Sequence, residues 1–203
     1  MWIKKVSNGY SMYLMRVSLR SKRKRGEIMK LTKGLEQAVC IITLLATQEK
    51  EIPVSSFIIN QRLQGSPTYI KKLMRKLVVN DLVNSVSGIN GGFTLAKRPQ
   101  NITLLDIIEA LEGPIVTYPN TGLINMVFQD MQPVATQGDL VLTDVFQKAD
   151  TYYTKYLNQQ TVEDLIQETL GLHEIPVLNW NDLAEKKGLL RKVLNNVNGN
   201  DEK

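Results

Sequence analysis

A chain of 203 residues, 43% hydrophobic and 22% charged, has enough apolar material for one good core or two small ones. One cysteine excludes a disulfide framework and a two-cysteine metal knuckle, one histidine leaves a metal site dependent on carboxylates, and no apolar run nears the ~18 residues that span a bilayer. The formal charge of +5 is unevenly spread: eight Lys/Arg against one Asp/Glu in residues 1–28, ten against four in 29–98, and seven against fifteen in 99–203. A basic middle suits phosphates, and an acidic remainder repels them.

The first 28 residues stand apart. Ser18-Leu19-Arg20-Ser21-Lys22-Arg23-Lys24-Arg25 reads as a basic arm for nucleic acid or a membrane surface. The preferred reading is simpler. Arg25-Gly26-Glu27-Ile28 is compatible with a purine-rich ribosome-binding tract, which would make Met29 the true first residue.

From Thr32 to Thr47 the spacing predicts a helix burying Leu35, Val39, Ile42, Leu45 and Ala46, with Cys40 buried as a small hydrophobe. Ile52-Pro53-Val54 is short and extended, and Ser55 caps a second helix over 56–63. Gly65 breaks that helix. Ser66 and Pro67 then start a third, as cap and first-turn proline.

This third helix carries two stripes. Ile70, Leu73, Met74 and Leu77 recur at three- and four-residue steps toward a core, while Thr68, Lys71, Lys72 and Arg75 recur on the opposite face. A cationic helix after a short helix and a tight turn has the geometry of a major-groove reader. Next, Leu82 to Val86 and Phe93 to Ala96 alternate apolar and polar residues around Ser87-Gly88-Ile89-Asn90-Gly91-Gly92, a hairpin whose glycines admit positive φ and close approach to DNA. The order is that of a winged helix-turn-helix. The expected base or near-base contacts are Thr68, Tyr69, Lys71 and Lys72. Thr32, Lys33, Ser66, Arg75, Asn90, Gly91, Lys97 and Arg98 complete the interface with the DNA backbone. Tyr69 competes equally for a place at the core edge.

Thr103-Leu104-Leu105-Asp106 is a capping box opening a helix that ends at Gly113-Pro114. Leu142, Val145, Phe146, Ala149, Tyr152, Tyr153, Tyr156 and Leu157 mark a longer helix whose seam serves either the subunit's own core or a homodimer. Thr161 to Asp164 opens a short helix, His173 falls in a solvated loop, and Trp180 to Asn195 reads as a last amphipathic helix.

Four blocks carry a family resemblance: Met29-Lys30-Leu31-Thr32-Lys33-Gly34, Ser66-Pro67-Thr68-Tyr69-Ile70-Lys71-Lys72-Leu73, Gly88-Ile89-Asn90-Gly91-Gly92-Phe93-Thr94-Leu95-Ala96, and Ile102 through Glu112-Gly113-Pro114. Over about residues 29 to 165 the chain resembles the Rrf2 family of bacterial transcriptional regulators. The resemblance implies a homodimer on double-stranded DNA at an inverted-repeat operator, and a start at Met29. Many members bind an iron-sulfur cluster through three cysteines after the Glu-Gly-Pro block; Ile115 to Asp139 has none, so no cluster and no other cofactor is expected. Lys71 stands where some members carry a cytosine-reading glutamate, and Ser87 where many carry a wing arginine.

The expected fold is mainly α with a small β wing. A basic leader (1–28) precedes a winged helix-turn-helix domain (29–98), a helical dimerisation and sensing region (99–170) and a C-terminal extension (171–203). The expected function is a cytoplasmic, dimeric repressor, with a small-molecule effector in an apolar pocket among the acidic region's helices or a protein effector on that surface. The rival reading is a winged-helix module docking an acidic protein. No nucleophile-base pair, phosphate loop or metal constellation supports an enzyme.

Overall fold

The computed structural model describes residues 31–182; the basic leader, the Met29 start and most of the last expected helix lie outside the described residues. Among the described residues are seven α-helices, α1 Lys33–Ala46, α2 Ser56–Leu63, α3 Pro67–Val79, α4 Leu104–Glu112, α5 Leu123–Val127, α6 Gln132–Asn158 and α7 Val162–Leu170, with one hairpin, β1 Val83–Val86 and β2 Gly92–Leu95. No described helix is long and apolar enough to cross a membrane.

Helix α1 turns Ala38, Ile41, Ile42 and Leu45 into the core. This face is rotated from the expected one: Leu35, Val39 and Ala46 are only partly buried, and Cys40 is exposed. Within the run Val39 to Ile42 the helical period sends positions 41 and 42 inward and position 40 outward.

Ser55 caps α2, its hydroxyl accepting from the Ile58 amide at 3.3 Å. The turn into α3 is not made as expected, because Gln64 and not Gly65 adopts the left-handed conformation, with φ 48°. Gly65 sits in a tight space instead: a Cβ there would lie 3.1 Å from Gln37 Nε2 and 3.2 Å from Ile70 Cδ1, and those side chains would have to shift slightly. Ser66 occupies the cap position of α3, yet its side chain makes no capping hydrogen bond. Ile70, Leu73, Met74 and Leu77 are buried as their spacing required.

The hairpin pairs Val83 with Leu95 through Val86 with Gly92, antiparallel. Its expected alternation is realised only at Val83, since Val86 is exposed and β2 is half-buried along its length. Val54 bridges β2 antiparallel from its other edge, with reciprocal backbone hydrogen bonds to Phe93 at 2.9 and 3.0 Å. Of the three glycines only Gly88 has positive φ, 112°. Gly91 and Gly92 are needed for close approach to the protein itself: a Cβ would lie 2.4 Å from the Val86 carbonyl oxygen or 2.3 Å from that of Val54.

The capping box of α4 forms as expected, with the Thr103 hydroxyl accepting from the Asp106 amide and the Asp106 carboxylate from the Thr103 amide. Beneath it, Thr161 caps α7, and Val162 and Ile166 join the core that α1 to α4 share. That core runs without a break across residue 98. Helix α6 starts ten residues before the expected seam and buries only Ala135 and Leu157. His173 is exposed in a loop, and Trp180 and Asn181 form a turn rather than the start of a helix.

Candidate nucleic-acid interface

Helix α3 is held from behind, and this decides which of its cations face outward. Its four buried apolar residues seat it on α1 and the hairpin. At its far end Lys76 donates to the Leu111 carbonyl and Asn80 Nδ2 to that of Ala110 at 3.4 Å, giving the last carbonyls of α4 their partners. Lys76 is thereby tied to α4. Thr68, Lys71, Lys72 and Arg75 remain exposed on the opposite face.

These four residues line an open cleft of about 770 Å³ together with Ser56 and Asn60 of α2 and Ser85 and Phe93 of the hairpin. Ser56, Asn60 and Ser85 were not anticipated as site residues. Ser56 and Asn60 share a face of α2 one turn apart, a pattern readable only once the apolar residues Ile58 and Ile59 are known to point inward. Among the described residues no ion pair engages Lys71, Lys72 or Arg75; a salt bridge joins Lys148 to Asp144 on α6.

The other expected contacts lie outside this cleft. Lys33, Asn90, Lys97 and Arg98 are exposed, and Gly91 is half-buried in the hairpin turn. At the tip Ile89 is fully exposed between Gly88 and Asn90. Thr32 is otherwise occupied: its hydroxyl donates to the Glu112 carboxylate at 2.5 Å, so this donor serves the end of α4. Tyr69 is 42% exposed, and a Cβ at Gly34 would come 2.7 Å from its hydroxyl oxygen. Its hydroxyl end therefore reaches the start of α1, where Gly34 leaves room for it.

The seam residues of α6 face solvent in the single chain. Leu142, Val145, Phe146, Tyr152, Tyr153 and Tyr156 are each at least 36% exposed, and Ala149 is exposed with them. Leu123, Met126, Val127 and Met131 extend the same apolar wall from the preceding turns. An open apolar groove of about 730 Å³ is lined from α6, from Pro133 to Val145. The segment between α4 and α5 is fastened to α6. The Thr117 amide and hydroxyl both donate to Asp150, Tyr118 stacks on Phe146 at 5.1 Å, and Asn120 donates to Asp139 at 2.8 Å.

A cationic helix seated in a helix-turn-helix, with a hairpin wing beside it, defines a winged-helix DNA-binding regulator. The model of the Rrf2 family, described as iron-dependent transcriptional regulators, matches residues 31–168, and the chain belongs to that family. YwgB of Bacillus subtilis (strain 168), provisionally assigned as an HTH-type transcriptional regulator, is 32% identical over 162 residues, 80% of this chain and 100% of its own length. CymR of the same organism, an HTH-type transcriptional regulator, is 30% identical over 146 residues, 72% of this chain and 96% of its own. Among solved structures, a provisionally assigned transcriptional regulator of Listeria innocua superposes with a TM-score of 0.53 at 26% identity, covering 73% of this chain and 95% of that one. IscR of T. potens gives 0.50 at 26% identity, over 70% and 88%. The protein is thus a transcriptional regulator and not an enzyme.

Proposed function

We propose that the protein is a dimeric repressor that reads an inverted-repeat operator with two copies of α3 in successive major grooves. The observation that carries this reading is the exposed face of Thr68, Lys71, Lys72 and Arg75, seated beside the wing and free of ion pairs among the described residues. Lys71 and Lys72 supply base-edge or nearby phosphate contacts, Arg75 a phosphate contact further along the groove, and Lys33, Lys97 and Arg98 flanking phosphates. Ser66, with no cap to make, has its hydroxyl available for a phosphate. Asn90 and Gly91 bring the wing to the backbone.

A symmetric dimer is the natural spacer, since half-sites lie about 34 Å apart and one copy of α3 reads one of them. The wall on α5 and α6 supports a second copy as its occupant. So many exposed tyrosines, valines and methionines on two neighbouring elements far exceed the scattered apolar residues of a monomer surface.

The repressor works without an iron-sulfur cluster. The lone thiol sits on the exposed face of α1, and the segment from Ile115 to Asp139, where many relatives place ligands, offers hydroxyls, amides and carboxylates but no thiolate. These residues do not fit the group.

The test is a salt titration of promoter-fragment binding with the wild-type protein and the K71A/K72A variant. Wild type is expected to bind without added iron or sulfide, to show no visible absorption band, and to lose affinity steeply with salt. The variant is expected to lose much of that affinity, with a log-log slope shallower by about 2. Equal affinity and slope in the two proteins contradict the assignment, and a visible cluster band contradicts the cofactor reading.

A further inference from the structure

Beyond Leu170 the chain leaves the residues matched by the family and returns to the DNA-reading half. Gly171, at φ 62°, turns it, and Leu178 pairs in parallel with Gln48. The Leu178 amide donates to the Thr47 carbonyl at 2.8 Å, and the Glu49 amide donates to the Leu178 carbonyl at 2.7 Å. Trp180 then donates twice: its indole N–H to the Thr47 hydroxyl at 2.8 Å, its backbone N–H to Gln48 Oε1 at 2.9 Å. Asn181 closes the strap, accepting from the Ser55 amide at 3.1 Å and donating to the Pro53 carbonyl at 2.9 Å. The Arg62 guanidinium, in the last turn of α2, lies over the Trp180 ring at 4.2 Å.

The hydrogen bonds of Leu178, Trp180 and Asn181 given above, and the Arg62 contact, fall on residues 47–55 and on α2. That connection is where the reading head hangs from α1: Ser55 caps α2, and Val54 pairs with Phe93 of the wing. Thr47 and Gln48 are also the two buried polar residues of the described chain, at 5% and 8% exposure, and Trp180 supplies partners to both. A buried polar group is costly without a partner, and the strap supplies one to Gln48 Oε1, while Gln48 Nε2 has none among the described residues; the Thr47 hydroxyl, which donates to the Thr43 carbonyl at 2.8 Å, gains an accepted bond from Trp180 as well.

We propose that Leu178, Trp180 and Asn181 are positioning residues for DNA reading: they fix the connection between α1 and α2, and through it the pose of α2, α3 and the wing. The inference rests on the DNA-binding reading above. It adds a determinant of specificity from a segment beyond the family match, and one that touches no DNA itself.

The experiment uses the full chain as wild type, W180A, W180F and N181A, below their melting transitions. It reads affinity for a promoter fragment against an unrelated duplex at one salt concentration, and amide hydrogen exchange at Glu49 and Ser55. W180A is expected to lose on the order of tenfold in promoter affinity while keeping its affinity for unrelated DNA, since the cations of α3 remain. W180F, which keeps a ring for Arg62 but no donor for Thr47, should fall between. N181A should exchange faster at Ser55. Variants that match wild type in both the affinity ratio and exchange overturn the inference, as does an equal loss on both duplexes accompanied only by a lower melting temperature. Wild type lacking any salt-dependent promoter binding would instead overturn the underlying DNA-binding reading, and this one with it.

Discussion

Two adjacent glycines set the position of the wing. At Gly92 a Cβ would sit 2.3 Å from the Val54 carbonyl oxygen, well inside van der Waals contact and against backbone that cannot swing aside. Gly92→Ala is therefore expected to destabilise the fold by more than about 2 kcal/mol, read by denaturant unfolding, because the rung between Val54 and Phe93 must open. Gly88→Ala meets nothing within 4 Å and costs only the strain of its φ of 112°. That contrast explains what the sequence could reveal at this scale. A cluster of glycines announces a turn, whereas the reason for Gly91 and Gly92 lies in carbonyls that only the folded chain brings near. Cys40 follows the same logic, since its apolar neighbours suggest burial and the phase of α1 alone turns it outward.

At the scale of elements, those with a strong local pattern were legible and those shaped by partners were not. Helix α3 carries its apolar stripe, its cationic stripe and its first-turn proline in thirteen consecutive residues, so its face and its role follow from spacing. The capping box of α4 is likewise local. Helix α6 is not. Its opening turns contain Gly138, a poor helix former, and apart from Ala135 and Leu157 its apolar residues are not buried in their own subunit. The strap misled for another reason: Trp180 has the look of a helix's apolar face, yet its ring and donors are committed to Arg62, Thr47 and Gln48. If α6 meets a second α6, one charge in the middle of the wall should be intolerable. Val145→Asp is expected to raise the dimer dissociation constant more than about 100-fold, as two unpaired carboxylates enter an apolar interface. Sedimentation over a concentration series checks this, with the fold retained by circular dichroism; an unchanged association state would place the dimer contact elsewhere.

For the whole molecule, the division of charge matches the division of work. The basic half carries α3 and the wing, and the acidic half carries the apolar wall and keeps its own surface away from phosphates. The two halves share one core, in which Ile102, Ile107 and Leu111 of the acidic half pack with Ile41, Ile42 and Leu77 of the basic one. Under the proposed dimer, a change in how two wall surfaces meet would reach α3 through these packed side chains. Footprinting of the full-length protein on the DNA upstream of its own gene addresses the central claim most directly. The expected result is a symmetric pair of protected half-sites centred one helical turn, about 34 Å, apart or a multiple of it, lost in K71A/K72A. Protection of a single unpaired site, or a pattern identical in wild type and K71A/K72A, would contradict it.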